Sequence, residues 1–256
     1  MLVTRPRNQA EALCQLIEFA GGSVFRFPVL EIVRSRKWGR AVDVLHNLER
    51  CRWIFFVSAN AVHFAQQAYN DNISFPAGLR IAAIGSATAR ALEAAKIRVD
   101  LMPKEQFNSE ALLELPEFAS LSGQRCVIVR GEGGRELLAD GLKQRGATVE
   151  YAEVYRREVP RYNPSGLMDQ LARGGIQVVT VTSVETFFNL LSMVGHAGEV
   201  VLKETPLVVM SQRIRNAALD RGFARVAVAE KPAGKAVVDA IIKLNIRGQS
   251  VARAKS

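Results

Sequence analysis

The feature that most constrains this chain is an alternation of short runs rich in Val, Ile and Phe with longer stretches of helical periodicity. LVTR (2–5) precedes a helical pattern from about Asn8, WIFFVS (53–58) precedes NAVHFAQQAY, RIAAIG (80–85) precedes SATARALEAA, and CVIVRG (126–131) precedes GRELLADGLKQRG. Later come VVTVTS (178–183) with VETFFNLLSMV, PLVVMS (206–211) with QRIRNAALDRG, and ARVAVAE (224–230) with GKAVVDAIIK. Strand followed by helix, repeated this often, requires parallel sheets covered by helices on both faces. With 256 residues to divide, the simplest solution is an α/β protein of two flavodoxin-like lobes.

The two halves also align without a gap. Arg5 falls on Arg130, 125 residues later, and the same offset pairs Glu11 with Glu136, Leu13 with Leu138, Gly21 with Gly146, Ser58 with Ser183 and Ser86 with Ser211. Position gives these identities weight: the arginines end the first strand of each half, the serines end equivalent strands, and the glycines end the first helix, where a left-handed cap favours Gly. FPVLEIV (27–33) and YAEVYRR (151–157) read as strands with no helix in register beyond them, and each runs into a polar break, RSRKWGR and PRYNPSG. These strands, residues 31–35 and 151–159, are expected to run side by side as a two-stranded β hinge. One lobe is then discontinuous, residues 1–30 plus 160–256, and the other is residues 36–150, with function expected in the cleft between them.

Composition is ordinary except in charge: 48% hydrophobic, 23% charged, net +9. A basic surface attracts polyanions, whether nucleic acid, a membrane face or a small polycarboxylate or phosphate. Cys14, Cys51 and Cys126 are odd in number and widely spaced, which reads as reduced core thiols. No stretch reaches the roughly 18 apolar residues of a membrane span, and MLVTRPRNQAEAL has none of the apolar character of a secretory leader. The expectation is a cytoplasmic protein with no membrane partner.

Ligands of open parallel sheets bind at the carboxyl ends of the strands. Here those ends carry Thr4-Arg5, Ser58-Ala-Asn60, Gly85-Ser86-Ala-Thr88, Arg130-Gly131, Thr182-Ser183 and Ser211. Hydroxyls, amides, glycines and arginines at helix N-termini suit a carboxylate-rich ligand, although Ser and Thr are also the ordinary N-caps of any helix. No aspartate cluster for magnesium stands at these ends. VRGEGGREL (129–137) sets Glu136 where a dinucleotide fingerprint needs Gly or Ala. His46, His63 and His196 have no partner at metal-ligand spacing, and no Gly-x-Ser-x-Gly elbow occurs. Neither metal nor cofactor is expected. Tyr155 is the candidate proton donor: it falls 125 residues after Leu30 and so puts a phenol where the duplicate has a leucine. A strand tyrosine that merely packs is the other reading of the same residue.

At these residues the sequence resembles the uroporphyrinogen-III synthase family. The likeness runs through TRP (4–6), SANAV (58–62), IGSATARAL (84–92), NSEALLELP (108–116), VRGEGGRELLADGLKQRGA (129–147), EVYRR (153–157), TSVETFFNL (182–190) and the segment around Ser211. The resemblance implies two α/β lobes, the first interrupted by the second, joined by paired strands. It implies a reaction: hydroxymethylbilane, a linear tetrapyrrole bearing acetate and propionate arms, loses water and closes with its last ring inverted through a spiro intermediate, without metal or cofactor. A pyrrole nitrogen expels the hydroxyl, so the protein assists departure and selects one geometry of closure. The family's tyrosine falls on Tyr155, and its product-contacting loop ends fall on Ser58, Asn60, Ser86, Thr88, Thr182, Ser183 and Ser211; Arg5, Arg130 and Gly131 join these as substrate-binding expectations. Two departures stand out: Val57 where many members have Thr, and Lys96-Ile97 where a helix-ending Gly is common. A monomer in transient contact with the preceding pathway enzyme completes the expectation.

Two other classes share these features. A two-lobed solute-capture protein has similar architecture without chemistry, but is usually exported. A nucleic-acid-binding regulator would explain the charge and the tail RGQSVARAKS (247–256), yet the basic residues are dispersed and no helix-turn-helix or aromatic-basic surface is evident.

Overall fold

The computed structural model describes residues 1–231 and 233–253, with side chains as far as Leu244; the side chains of the basic tail, 247–256, lie outside the described residues. The chain runs β1 (Leu2–Val3), α1 (Arg7–Phe19), β2 (Phe25–Arg26), β3 (Glu31–Arg34), α2 (Trp38–His46), β4 (Cys51–Phe56), α3 (Ala59–Ala68), β5 (Arg80–Ala83), α4 (Ser86–Ala94) and α5 (Ser109–Leu113). It continues through β6 (Arg125–Gly131), α6 (Leu137–Gln144), β7 (Thr148–Glu158), α7 (Ser165–Ala172), β8 (Val179–Val181), α8 (Val184–Glu204), β9 (Leu207–Val209), α9 (Gln212–Asp220), β10 (Val226–Val228) and α10 (Gly234–Arg253). These elements form two compact units, Met1–Glu31 with Glu158–Ser256, and Ile32–Arg157.

The first unit holds a five-stranded sheet in the order β10-β9-β8-β1-β2, with each strand parallel to its neighbours. Numbered within the unit this is 2-1-3-4-5, the flavodoxin-like order. Thr4 Oγ1 donates to Thr180 O at 2.7 Å and Thr180 Oγ1 donates to Leu2 O at 3.1 Å, locking β1 to β8 at the centre. Leu2, Val179, Val181, Leu207 and Val209 point into one core, while Val3, Val178 and Val208 point into the other.

The second unit has the order β3-β7-β6-β4-β5, and Ala82 makes a further parallel bridge to Leu101. The 125-residue offset maps β6 onto β1, β7 onto β2, β4 onto β8, β5 onto β9 and the Leu101 bridge onto β10. The second sheet is therefore the first in a circularly permuted chain order, with β3 added beside β7. β4 is buried on both faces: Ile54 and Phe56 enter one core and Trp53 and Phe55 the other. That double burial is why CRWIFF reads as an apolar run and not as an alternation.

Two segments differ from the sequence-based expectation. FPVLEIV becomes a strand only from Glu31, because Pro28 has no N–H for a ladder and Val29 N instead donates to Thr4 O. Helix α6 begins at Leu137, not Gly134, because Gly133 adopts a left-handed φ of 71° and the preceding residues form a loop held by side chains.

Candidate active site

Parallel pairing brings the carboxyl ends of neighbouring strands to one end of each sheet. In the first unit this gathers Arg5 after β1, Thr182 and Ser183 after β8, and Ser211 after β9. Ser183 Oγ accepts from Thr186 N at 3.0 Å within a capping box, and Ser211 Oγ accepts from Ile214 N at 3.4 Å. Arg5 Nη2 reaches Met210 Sδ at 3.9 Å, its buried Nε has no hydrogen-bond partner among the described residues, and burial lowers its pKa.

In the second unit the same topology gathers Arg130 and Gly131 at the end of β6, Ser58 and Asn60 after β4, and Ser86 and Thr88 after β5. Ser58 N-caps α3, accepting from Ala61 N at 3.1 Å. Ser86 differs from its counterpart Ser211: Gly85 is the N-cap and Ser86 opens the helix. Thr88, at 4% exposure, belongs to the interior, and Asn60 is the second residue of α3.

Tyr155 arrives by a route that alternation does not foretell. Arg130 faces Glu153 but Gly131 faces Tyr155, so β7 carries one extra residue at this point, a β-bulge. Along β7, Val149 and Tyr151 pack against one core and Ala152 and Val154 against the other. Strict alternation would return Tyr155 to the side of Tyr151; the bulge turns it to the side of Val154. The ring is 6% exposed and stacks on Phe64 with centroids 5.8 Å apart. Gly131 leaves room for it, since a Cβ there would lie 2.5 Å from Tyr155 Cε2. Its hydroxyl meets Ser58 Oγ at 3.1 Å.

Tyr155 borders a cavity of about 370 Å³ contained within this unit, whose walls include Val57, Phe107, Asn108, Arg135 and Arg157. Arg130 also touches it, with a guanidinium largely spoken for. Nη2 donates to Gly134 O and to Glu136 Oε1, both at 3.0 Å, Nη1 donates to Arg135 O at 3.3 Å, and the group lies 4.2 Å from the Tyr151 ring centroid. Glu153 Oε1 stands 3.7 Å away. Arg130 thus folds the 131–136 loop against the strand that carries it. From the other side Glu132 accepts from Ser35 Oγ and from Arg36 N, and its backbone N–H donates to Tyr155 O. The Ser35 hydrogen bond is the largest cause holding the Glu132 carboxyl below its usual pKa. The hydrogen bond from Tyr151, then that from Arg130, does the same for Glu136.

Sequence reasoning passed over Phe107, Glu132, Arg135 and Arg157. Asn108 entered only within the family-like segment NSEALLELP; in the structure it caps α5, its Oδ1 accepting from Ala111 N at 2.8 Å. Glu136, noted as the counterpart of Glu11 and as an obstacle to a dinucleotide motif, is the partner of Arg130. Among the described residues no helix is long and apolar enough to cross a membrane, and no group of three His, Cys, Asp or Glu is arranged to hold a metal ion.

Comparison with known proteins agrees with this architecture. The family model described as uroporphyrinogen-III synthase HemD matches residues 11–239. The uroporphyrinogen-III synthase of Salmonella typhimurium is 33% identical over 94% of this chain and 99% of its own length. That of Escherichia coli is 32% identical over the same shares. Among solved structures, uroporphyrinogen III synthase of Thermus thermophilus superposes with a TM-score of 0.56 over 100% of this chain and 99% of that one at 19% identity. The Helicobacter pylori enzyme gives 0.58 over 88% and 94% at 14% identity, and both likenesses speak to the fold. With a family model spanning most of its length and relatives a third identical from end to end, the chain belongs to the uroporphyrinogen-III synthase family.

Proposed function

We infer that this chain cyclises hydroxymethylbilane to uroporphyrinogen III, a lyase reaction of tetrapyrrole (haem) biosynthesis. The observation that carries the reading is Tyr155: a phenol turned by a bulge onto the edge of a cavity and held there by Phe64, Gly131 and Ser58. Arginines and helix N-termini lie nearby, as acetate and propionate arms require.

In the chemistry this supports, the lone pair of a pyrrole nitrogen expels the hydroxyl of the bilane. Tyr155 donates its proton to the departing oxygen, which leaves as water. The electrophile that remains is attacked by the last ring through its substituted carbon, and the spiro intermediate fragments and recloses with that ring inverted. The carbon that finally closes the macrocycle loses its own proton as the pyrrole rearomatises, and this proton balances the one given by the tyrosine. The protein's contribution is assistance to one leaving group and restriction of geometry.

Arg5, Ser58, Asn60, Ser86, Thr88, Gly131, Thr182, Ser183 and Ser211 remain proposed substrate contacts, acting largely through the backbone N–H groups of the strand ends and first helical turns they occupy. Arg130 is better read as the residue that shapes the loop beside Tyr155. A monomeric cytoplasmic enzyme without cofactor, receiving the bilane by transient contact with the enzyme that makes it, belongs to the same proposal.

The test is conversion. Incubated with hydroxymethylbilane, the chain should consume it catalytically and release a cyclic tetrapyrrole with loss of one water. Stoichiometric binding without turnover would identify a capture protein instead.

A further inference from the structure

We propose that Ser58 is a positioning residue that fixes the direction of the Tyr155 proton; the inference rests on the reading of Tyr155 just given. Ser58 Oγ accepts a hydrogen bond from Ala61 N at 3.1 Å and lies 3.1 Å from Tyr155 Oη. It sits at the positive end of α3. An oxygen already accepting an amide N–H there is a weaker acceptor and a stronger donor than a free hydroxyl, because hydrogen bonds in a chain polarise one another. Ser58 therefore donates to the tyrosine oxygen. With that lone pair taken, the phenolic hydrogen is turned away from Ser58, toward the cavity that Tyr155 borders. The chain of donors runs from Ala61 N–H through Ser58 O–H and Tyr155 O–H to the departing hydroxyl.

The duplicated half supplies an internal control. Ser183, the counterpart of Ser58, caps its helix in the same way, but its hydroxyl donates to Thr186 Oγ1 at 3.1 Å. At the same offset the second unit has Ala61 in place of Thr186 and Tyr155 in place of Leu30. Where the duplicate closes its capping box on itself, this half lacks the threonine hydroxyl and has a phenol within reach. The spare proton of the cap serine thus has a different recipient in each unit. Phe64 stacking and the bare Cα of Gly131 keep the ring from drifting out of range.

The experiment is single-turnover ring closure of hydroxymethylbilane by the full chain, with KM measured alongside, for wild type, Ser58→Gly, Ser58→Asp, Ser58→Thr, Tyr155→Phe and Ser58→Gly in the Tyr155→Phe background. Gly and Asp both serve as N-caps, so both should fold; Gly removes the hydroxyl, and an ionised Asp can only accept from the tyrosine. The expected result is a loss of about 3- to 10-fold in the closure rate for Ser58→Gly, the range that one neutral hydrogen bond supports, with KM little changed. Ser58→Asp should lose at least as much, Ser58→Thr should regain most of the rate, and Ser58→Gly should add nothing to Tyr155→Phe. A rate that is unchanged or raised in Ser58→Gly and Ser58→Asp overturns the proposal, as does a loss confined to KM or one that adds in full to Tyr155→Phe. A wild-type chain without turnover overturns the function and this inference together, whereas an active wild type with indifferent Ser58 variants overturns this inference alone.

Discussion

Gly131 and Tyr155 occupy one volume between them: the ring stands where a side chain on residue 131 would be. A Cβ would lie 2.5 Å from Cε2 and 2.6 Å from Cζ, and the ring cannot retreat because Phe64 stacks on it. Gly131→Ala should therefore lower stability by about 1–3 kcal/mol, the usual cost of overpacking a core. The closure rate should fall further than the lost folded fraction explains, because the phenol is displaced; denaturant titration with activity measured on the same samples checks both. An Ala variant as stable and as active as the parent would show that the ring is not wedged. Sequence showed Tyr155 as an anomaly of the duplication but not how it reaches its place, because a bulge is one unpaired residue that leaves no mark on a period-2 pattern. Arg130 was legible as a matched arginine, whereas its partner Glu136 and the loop carbonyls it holds depend on a turn set by Gly133, and Glu153 on the pairing of β6 with β7.

At the scale of elements, helix ends carry most of the local information. Gly21 and Gly146 both adopt left-handed φ, 82° and 91°, and end α1 and α6 as their positions in the repeat implied. Helix α4 ends in the same hydrogen-bond pattern, Lys96 N to Glu93 O and Ile97 N to Leu92 O, but there Lys96 takes a φ of 60°. A side chain in that region costs roughly 1–2 kcal/mol. Lys96→Gly should thus stabilise the chain by about 0.5–1 kcal/mol, the lost left-handed strain offset partly by added chain entropy, seen as a raised urea midpoint with unchanged slope. A lower midpoint would mean that the lysine side chain contributes more than its backbone costs. The departure from family pattern noticed in the sequence is therefore located at Lys96. Other ends divide: the pattern VETFFNLLSMV stops at Val194, where Gly195 at φ 65° and ψ −172° breaks α8 into two helical segments, whereas the strand expected over FPVLEIV begins late because Pro28 cannot join a ladder.

At the scale of the molecule, the repeat and its flavodoxin-like parallel sheets were legible, and the permutation between the two sheets was not. Pairs such as Ser58 with Ser183 announced a duplication, but that one sheet is the other in permuted order follows from strand neighbours, which a single sequence does not list. The chemistry was legible mainly through family resemblance, because positioning and one phenol leave no metal cluster or nucleophile motif to find. The charge of +9 fits a substrate bearing many carboxylates and by itself chooses none. The most direct measurement is the isomer ratio of uroporphyrinogen formed from hydroxymethylbilane as the amount of protein is raised. The account predicts that the ring-inverted isomer grows with protein until it is nearly the whole product, while the uninverted isomer of spontaneous closure disappears. A ratio that stays at the spontaneous value, with folded protein in excess, would contradict it.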